Sequence, residues 1–459
     1  MNQFLMDTNN LVTILKQRRV KLGQLIQHPV ILWSSSPISR NFFANKYPFR
    51  ASSHFLYFAG LSLADAAIRI EGGKLELFMD NNSPSQAIWH GAMPQREEIG
   101  AMIGADLVYP LAELANKTKA AATIAVQEQI TYQQQCKLLN RPLALSDRAS
   151  GIDLELARAI IKLRSHHDTL ALQELRYSAA VSIQAHKAGI QATRHSSTEA
   201  EIRGAMERVI IAHNMSCAYN SIVTVHGEVL HNESYHNKLQ PGDLILADVG
   251  AQTPNGWAAD ITRTWASGKF SSTQRDIYEI VLAAHDRCIA KMFPDVEYQD
   301  IHLLAAEIIA EGLVSLGILK GNPQDLVDID AHALFFPHGV GHLLGLDVHD
   351  MEDLGDLAGY AAGRERSDRF GLGYLRLNRP LESGMLVTIE PGFYQVPAIL
   401  NHSDFRTKYQ DVVDWERLAQ FSDVRGIRIE DDVLVTDSGS EVLTADLPTK
   451  VEDIEDLLL

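Results

Sequence analysis

The stretch PHGVGHLLGLDVHD, residues 337–350, decides how the rest of the chain is read. It places His338, His342 and His349 within twelve positions. Pro337, Gly339, Gly341 and Gly345 are set among them, and glycine lets a backbone pass close to a site. A single histidine is usually a satisfied core or surface residue. Three in one glycine-rich run point to a site, and imidazole is a good ligand for zinc, iron, cobalt or manganese.

Towards the C-terminus, LVTIEPGFY (386–394) carries Glu390 at the end of an apolar strand that Pro391-Gly392 then stops. A carboxylate there is costly to bury unpaired. In GIRIEDDVLVT (426–436), Arg428, Glu430 and Asp432 alternate with Ile427, Ile429 and Asp431. Strand period two puts Arg428 and Glu430 on one face. A surface salt-bridge ladder is the bland account, but it leaves unexplained why an apolar strand should carry them.

Towards the N-terminus, DLILADVG (243–250) and WAADITRTW (257–265) carry Asp248 and Asp260 on strand-like segments. TPNG (253–256) is turn sequence, so an antiparallel hairpin is expected. Residues facing each other across such a pair are about 4.5–5.5 Å apart. Two carboxylates that close repel unless a proton or a cation comes between them.

With 459 residues, the chain is long enough for two domains. Apolar residues at 46% and charged residues at 22% fit a globular protein. The balance of 41 basic and 58 acidic side chains, a net −17, argues against a nucleic-acid partner. Cys136, Cys217 and Cys288 are far apart and lack metal or disulfide spacing, so they read as small buried hydrophobes in a reducing compartment. MNQFLMDTNN has no signal-peptide pattern, and no apolar run approaches the ~20 residues of a membrane helix. A cytoplasmic location and no membrane partner are the expectations.

The first third alternates strands and helices. A helix is expected over 8–26, strands over 30–35 and 54–60 (HFLYFAG), and a hairpin over 66–80 turning at Gly72-Gly73. This implies an α/β domain with a mixed sheet. Residues 151–165 read as the connection between domains, followed by a helix to about Arg194 that Ser165 to Asp168 would cap. Thr198 and Glu201 form a capping box, with Ile202, Ala205, Met206, Val209 and Ile210 on one face of the next helix. Helices near 273–293 and 299–316 and a strand-rich end complete the pattern.

The ordered motifs DVG, DITRT, HGVGH…DVHD, IEPG and GIRIEDD resemble the aminopeptidase P and prolidase family. YPFRASSHFLYFAG and AIWHGAMP resemble that family's N-terminal domain, so the likeness covers nearly the whole chain. The resemblance implies an α+β protein: an aminopeptidase-P-type α/β mixed-sheet domain over 1–160 and a catalytic pita-bread domain over 161–459. It implies hydrolysis of small peptides before a proline, by an Xaa-Pro aminopeptidase or, alternatively, an Xaa-Pro dipeptidase. Relatives that keep the fold as non-catalytic binding modules lack the metal ligands kept here.

By the same resemblance, Asp248, Asp260, His342, Glu390 and Glu430 hold two divalent ions. Manganese is implied first, with cobalt, iron or zinc as alternatives. Four carboxylates and a neutral imidazole match the charge of two such cations. Glu390 is then the proton shuttle, and His231, His338 and His349 hold the substrate carbonyl and the developing oxyanion. Arg428 is expected to orient Glu430 or a substrate carboxylate, Arg376 to meet the peptide's distal end, and Trp89 to reach a neighbouring subunit's site. A homodimer or tetramer follows from the family alone. The lead into His231 is shortened here to TVHGEVLH, with His226 and His236 close by. The stretches 351–375 and 395–424 are longer than the family pattern.

Overall fold

The computed structural model describes residues 8–145 and 148–459, which divide into two compact units. Met1–Ser165 and Met351–Ala358 form the first; His166–Asp350 and Gly359–Leu459 form the second. Most of the N-terminal decapeptide that was read for a leader lies outside the described residues.

In the first unit, strands Val30–Trp33, Ala67–Glu71, Lys74–Phe78 and Leu107–Tyr109 form one sheet in that order. The first three are antiparallel and the last is parallel to its neighbour, as a mixed sheet requires. The hairpin turns where expected, because Gly72 (φ 56°) and Gly73 (φ 83°) tolerate the left-handed backbone of a tight turn. Helix Thr8–Leu25 carries Arg19, which is fully buried. Its guanidinium donates to the carbonyls of Phe58, Ile103 and Gly104, tying two chain segments to the helix.

HFLYFAG is not a strand. Ser53–Ala59 is a helix, and every one of its residues is buried. A short run buried on all sides shows neither helical nor strand periodicity, so its pattern misleads. Gly60, at φ 74°, closes the helix in the left-handed region. The stretch 151–165 is mostly the helix Gly151–Arg164 and belongs to the first unit. Residues 351–358, within the long stretch after DVHD, also belong to the first unit.

The second unit repeats one order of elements. Helices Thr169–Ala192 and Glu199–Ala212 pack together and precede the antiparallel strands Ile222–Thr224, Leu244–Asp248 and Thr262–Ala266. Helices Ser272–Ala290 and Tyr298–Ser315 likewise pair and precede strands Leu386–Ile389, Gly392–Tyr394, Gly426–Arg428 and Asp431–Thr436. Asp168 caps the first helix by accepting from the Ala171 amide, and the Thr198–Glu201 capping box starts the second. Ile202, Met206 and Ile210 are buried, while Ala205 and Val209 are half-buried at the edge of that face. The strands of the two halves meet where the Glu430 amide donates to the Thr262 carbonyl (3.0 Å) and Thr264 bonds Arg428. This seam brings the ends of both strand groups to one place.

The three cysteines are free; Cys288 alone is buried, and Cys136 and Cys217 are half-buried. Among the described residues, no helix is long and apolar enough to cross a membrane.

Candidate metal centre

Three of the four acidic groups of the site stand at or just beyond the end of a strand, and Asp260 lies two residues before strand Thr262–Ala266. Asp248 ends Leu244–Asp248, Glu390 follows Leu386–Ile389, and Glu430 lies between Gly426–Arg428 and Asp431–Thr436. The hairpin forms, but Asp248 pairs with Thr262 and Gln252 with Ala258, which sets Asp260 opposite Gly250. The two aspartates are therefore diagonal neighbours on one face rather than a facing pair. A Cβ on Gly250 would meet the Ala259 carbonyl oxygen at 1.8 Å and the Tyr219 ring at 3.0 Å, so glycine is needed for the close approach of the Ala259 backbone, and Tyr219 packs over the same spot. The glycine-rich run lies along the strand before Glu390: Thr388 N–H donates to the His342 carbonyl and Glu390 N–H to the Val340 carbonyl. A Cβ on Gly341 would sit 2.1 Å from the Thr388 carbonyl oxygen, so glycine is needed for this approach.

Asp248, Asp260, His342, Glu390 and Glu430 converge. Their donor atoms form overlapping groups, Asp248–Asp260–Glu430 and His342–Glu390–Glu430, each within 4.8 Å. His342 Nε2 lies 3.3 Å from Asp260 Oδ2 and 3.6 Å from Glu390 Oε1. His342 Nδ1 is 3.0 Å from the Leu343 carbonyl oxygen, which can only accept. That bond places the ring proton on Nδ1 and turns the Nε2 lone pair towards the carboxylates. His349 packs against His342 with ring centroids 4.1 Å apart and the rings tilted by 56°, and it forms a third such group with Asp260 and His342.

The protein leaves this cluster short of positive charge. Burial and the Asp248 charge push the Asp260 carboxyl up to about 8. Burial likewise raises Glu390 to about 7, against the opposing pull of His342 and Arg428. Glu430 is pushed well above the usual carboxylate range by burial and by Asp260, Glu390 and Asp248. Groups in this state either keep protons or share cations. The inward imidazole lone pair and the carboxylate oxygens form a donor set that suits divalent ions.

Arg428, Thr262 and Tyr219 complete the surroundings. Arg428 pairs with Asp248 (Nη2–Oδ2 2.5 Å) and stands 3.9 Å from Glu430 Oε2. Its Nε donates instead to Thr262 Oγ1, and Thr262 donates to Glu430 Oε2 at 2.6 Å. Thr262 thus links Arg428 to Glu430. Tyr219 was not anticipated: its hydroxyl faces Asp248 Oδ1 (2.5 Å) and Asp260 Oδ1 (2.6 Å). It lies in no patterned segment, whereas Thr262 was legible as the residue two along from Asp260 in DITRT.

A cavity of about 620 Å³ opens onto the cluster. His231, His338, His349, Arg376 and Arg428 line it with the five acidic and imidazole groups, as do Arg366 and Tyr374, which sequence reading did not single out. Val396 and Ile399, from the second long stretch, supply apolar wall. His338 is held between the Gly339 carbonyl and Tyr394 Oη, and burial lowers its pKa to about 3, so the ring is neutral. His226 lies elsewhere, against Glu228 and Arg425. Trp89 is not among the lining residues; it is 81% exposed on helix Pro84–His90 of the first unit.

Scaffold and cluster together define a metallopeptidase. Residues 173–437 match the model of metallopeptidase family M24, and residues 15–130 match the aminopeptidase P N-terminal domain. The chain belongs to metallopeptidase family M24, within the aminopeptidase P and prolidase group. It is 34% identical to a probable Xaa-Pro aminopeptidase of Fusarium vanettenii, over 90% of this chain and 88% of that protein. It is 31% identical to the human Xaa-Pro dipeptidase, over 89% of this chain and 84% of that protein. The fold matches the Pseudomonas aeruginosa aminopeptidase PepP with a TM-score of 0.81 at 26% identity, covering 97% and 98% of the two chains. A zinc-substituted Escherichia coli aminopeptidase P in complex with product gives 0.78 at 27%, with the same coverage.

Proposed function

We propose that this chain is an Xaa-Pro aminopeptidase, releasing the first residue of small peptides whose second residue is proline. The observation that carries the reading is the convergence of Asp248, Asp260, His342, Glu390 and Glu430 at the floor of a peptide-sized cavity. These five residues would hold two divalent ions, manganese first among the candidates because oxygen donors predominate. Such ions, when bound, supply Lewis acidity and lower the pKa of water.

The chain's own groups do the rest. Glu390 takes and returns a proton on its carboxylate, which borders the cavity beside His342 and within reach of a water held there. His231, His338 and His349 line the cavity; His231 and His349 orient the scissile carbonyl and donate to the developing oxyanion, while neutral His338, its Nδ1–H on the Gly339 carbonyl and its Nε2 on Tyr394 Oη, shapes the wall beside them. Arg428 fixes Asp248, and Thr262 fixes Glu430.

A second reading, an Xaa-Pro dipeptidase, is favoured by Arg366 and Arg376 in the cavity wall, where they could take a dipeptide's carboxylate. The likeness to the human dipeptidase points the same way. We further assign residues 1–160 to the aminopeptidase-P-type domain and 161–459 to the catalytic domain. We place the protein in the cytoplasm as a dimer or tetramer, in which exposed Trp89 reaches a neighbouring protomer's pocket.

Dipeptides Xaa-Pro and tripeptides Xaa-Pro-Yaa, with non-proline controls, assayed with manganese, cobalt, iron and zinc, test the reading. Cleavage of the tripeptide before proline, strongest with manganese, is expected. Cleavage of the dipeptide alone selects the second reading.

A further inference from the structure

His231 is an exposed residue in an irregular loop, yet it must point reliably into the cavity if it is to hold a substrate carbonyl. Geometry of that kind needs support from beneath, because a small misplacement of a binding group is costly in rate. The support is visible in one buried acid. Glu199, the first residue of helix Glu199–Ala212, is fully buried and plays no part in the cluster described above.

Its carboxylate gathers both ends of the loop. Glu199 Oε1 accepts from the Val225 amide (2.8 Å) and the Thr224 hydroxyl (3.1 Å) on the entering side. On the leaving side, the Asn237 side-chain amide bonds both carboxylate oxygens at 3.1 Å, and the Asn237 backbone amide reaches Oε2 at 3.3 Å. The backbone adds to the clamp, since the Glu199 and Ala200 amides at the helix start donate to the Asn237 and Tyr235 carbonyls.

The middle of the loop is held as well. Asn232, next to His231 and buried, donates to Thr224 Oγ1 at 2.6 Å, and its own Oδ1 takes the Ser234 amide at 2.9 Å. Thr224 therefore donates to Glu199 while accepting from Asn232 and from the His226 amide (2.9 Å). A buried carboxylate served by neutral donors on both arms of a loop is an anchor whose loss leaves several polar groups unpaired together.

We propose that Glu199 is a positioning residue for His231, acting through Thr224 and Asn232, so that a carboxylate remote from the substrate sets how well the peptide is held. The inference rests on the reading above in one respect: that His231 faces substrate.

The test compares wild type, Glu199→Ala, His231→Ala and the double variant, using kcat/KM on an Xaa-Pro-Yaa tripeptide, bound metal, and amide hydrogen exchange. Glu199→Ala should lower kcat/KM about tenfold or more in the wild-type background. The same change should cost less than about twofold once His231 is gone, because two residues acting as one unit are not additive. Metal content should be unchanged. The Val225 and Asn237 amides should lose protection, while helix Ser272–Ala290 keeps its own. Glu199→Gln, which keeps an acceptor, should restore part of the loss. Should Glu199→Ala fold poorly, Asn232→Ala, which leaves the carboxylate in place, should give the same kinetic pattern, with protection lost at the Ser234 amide instead. Equal losses in both backgrounds, or a loop that stays protected, overturn the proposal. A wild type that cleaves no Xaa-Pro peptide defeats the functional reading instead, and the exchange data still decide whether Glu199 holds the loop.

Discussion

Glu430 and Asp431 are neighbours in sequence, both fully buried, on opposite faces of the same chain segment, and their carboxyls behave oppositely. Glu430 faces Asp260, Glu390 and Asp248, which together with burial drive its pKa well above the usual range. Asp431 is buried just as deeply, but Arg263 and His285 outweigh burial and pull it down to about 2. Arg263 Nη2 is 2.8 Å from Asp431 Oδ1, and the rest of its guanidinium serves the carbonyls of Thr262, Glu430, Leu447 and Pro448. Burial alone therefore does not fix the state of an acid. On one face the chain supplies the countercharge itself; on the other it gathers acids and leaves the balance to a cation.

The comparison breaks most sharply at the cluster. Asp260→Ala or Glu430→Ala should lower metal affinity and turnover by more than about 100-fold, since even indirect supports of a metal site cost 10–100-fold. The first unit should stay folded. Metal titration by calorimetry, with near-ultraviolet dichroism as the fold control, is the check. Unchanged turnover in either variant would remove it from the site.

His349→Ala comes next. It should cut kcat more than it cuts metal content, as a group that donates to substrate would. Since His349 also groups with Asp260 and His342, equal losses would place it among the ligands.

On the opposite face, Asp431→Ala should leave the metal sites in place but cost about 3–5 kcal/mol in urea unfolding, because it strands a buried guanidinium. The pH dependence separates the faces further. Asp431, lowered to about 2, contributes stability above its unfolded value of about 4 that disappears as pH falls through about 2. Asp260 and Glu390 do the reverse. Their folded values, about 8 and about 7, mean that metal-free protein loses stability as pH climbs from about 4 through that range. Added divalent metal should therefore raise Tm more at pH 8 than at pH 5. Tyr219→Phe should give the smallest effect, a few-fold weakening of metal binding, because it removes one hydroxyl shared by Asp248 and Asp260.

Much of the site was legible because Asp248, Glu390 and Glu430 stand at strand ends, and glycine or proline follows two of them closely. What stayed hidden depends on distant packing. Tyr219 reaches the aspartates by packing over Gly250, and nothing near Tyr219 in sequence signals it. The diagonal placement of Asp248 and Asp260 follows from a ladder register that the TPNG turn does not specify. Arg428 shares a strand face with Glu430 as period two requires, yet Thr262 intervenes. In the first unit, the hairpin at Gly72-Gly73 was readable from local turn chemistry. Ser53–Ala59 was not, since burial on every side erases the pattern that separates helix from strand.

The most direct measurement is the metal content of protein purified without chelator and reconstituted with manganese, read by elemental analysis beside the Glu430→Ala variant. Four acids gathered around a single guanidinium, Arg428, predict two divalent ions per wild-type chain and a clear deficit in the variant. A wild type that retains none, with no gain of activity when metal is added, would mean that these buried groups balance their charge with protons and that the metallopeptidase account of this cavity is wrong.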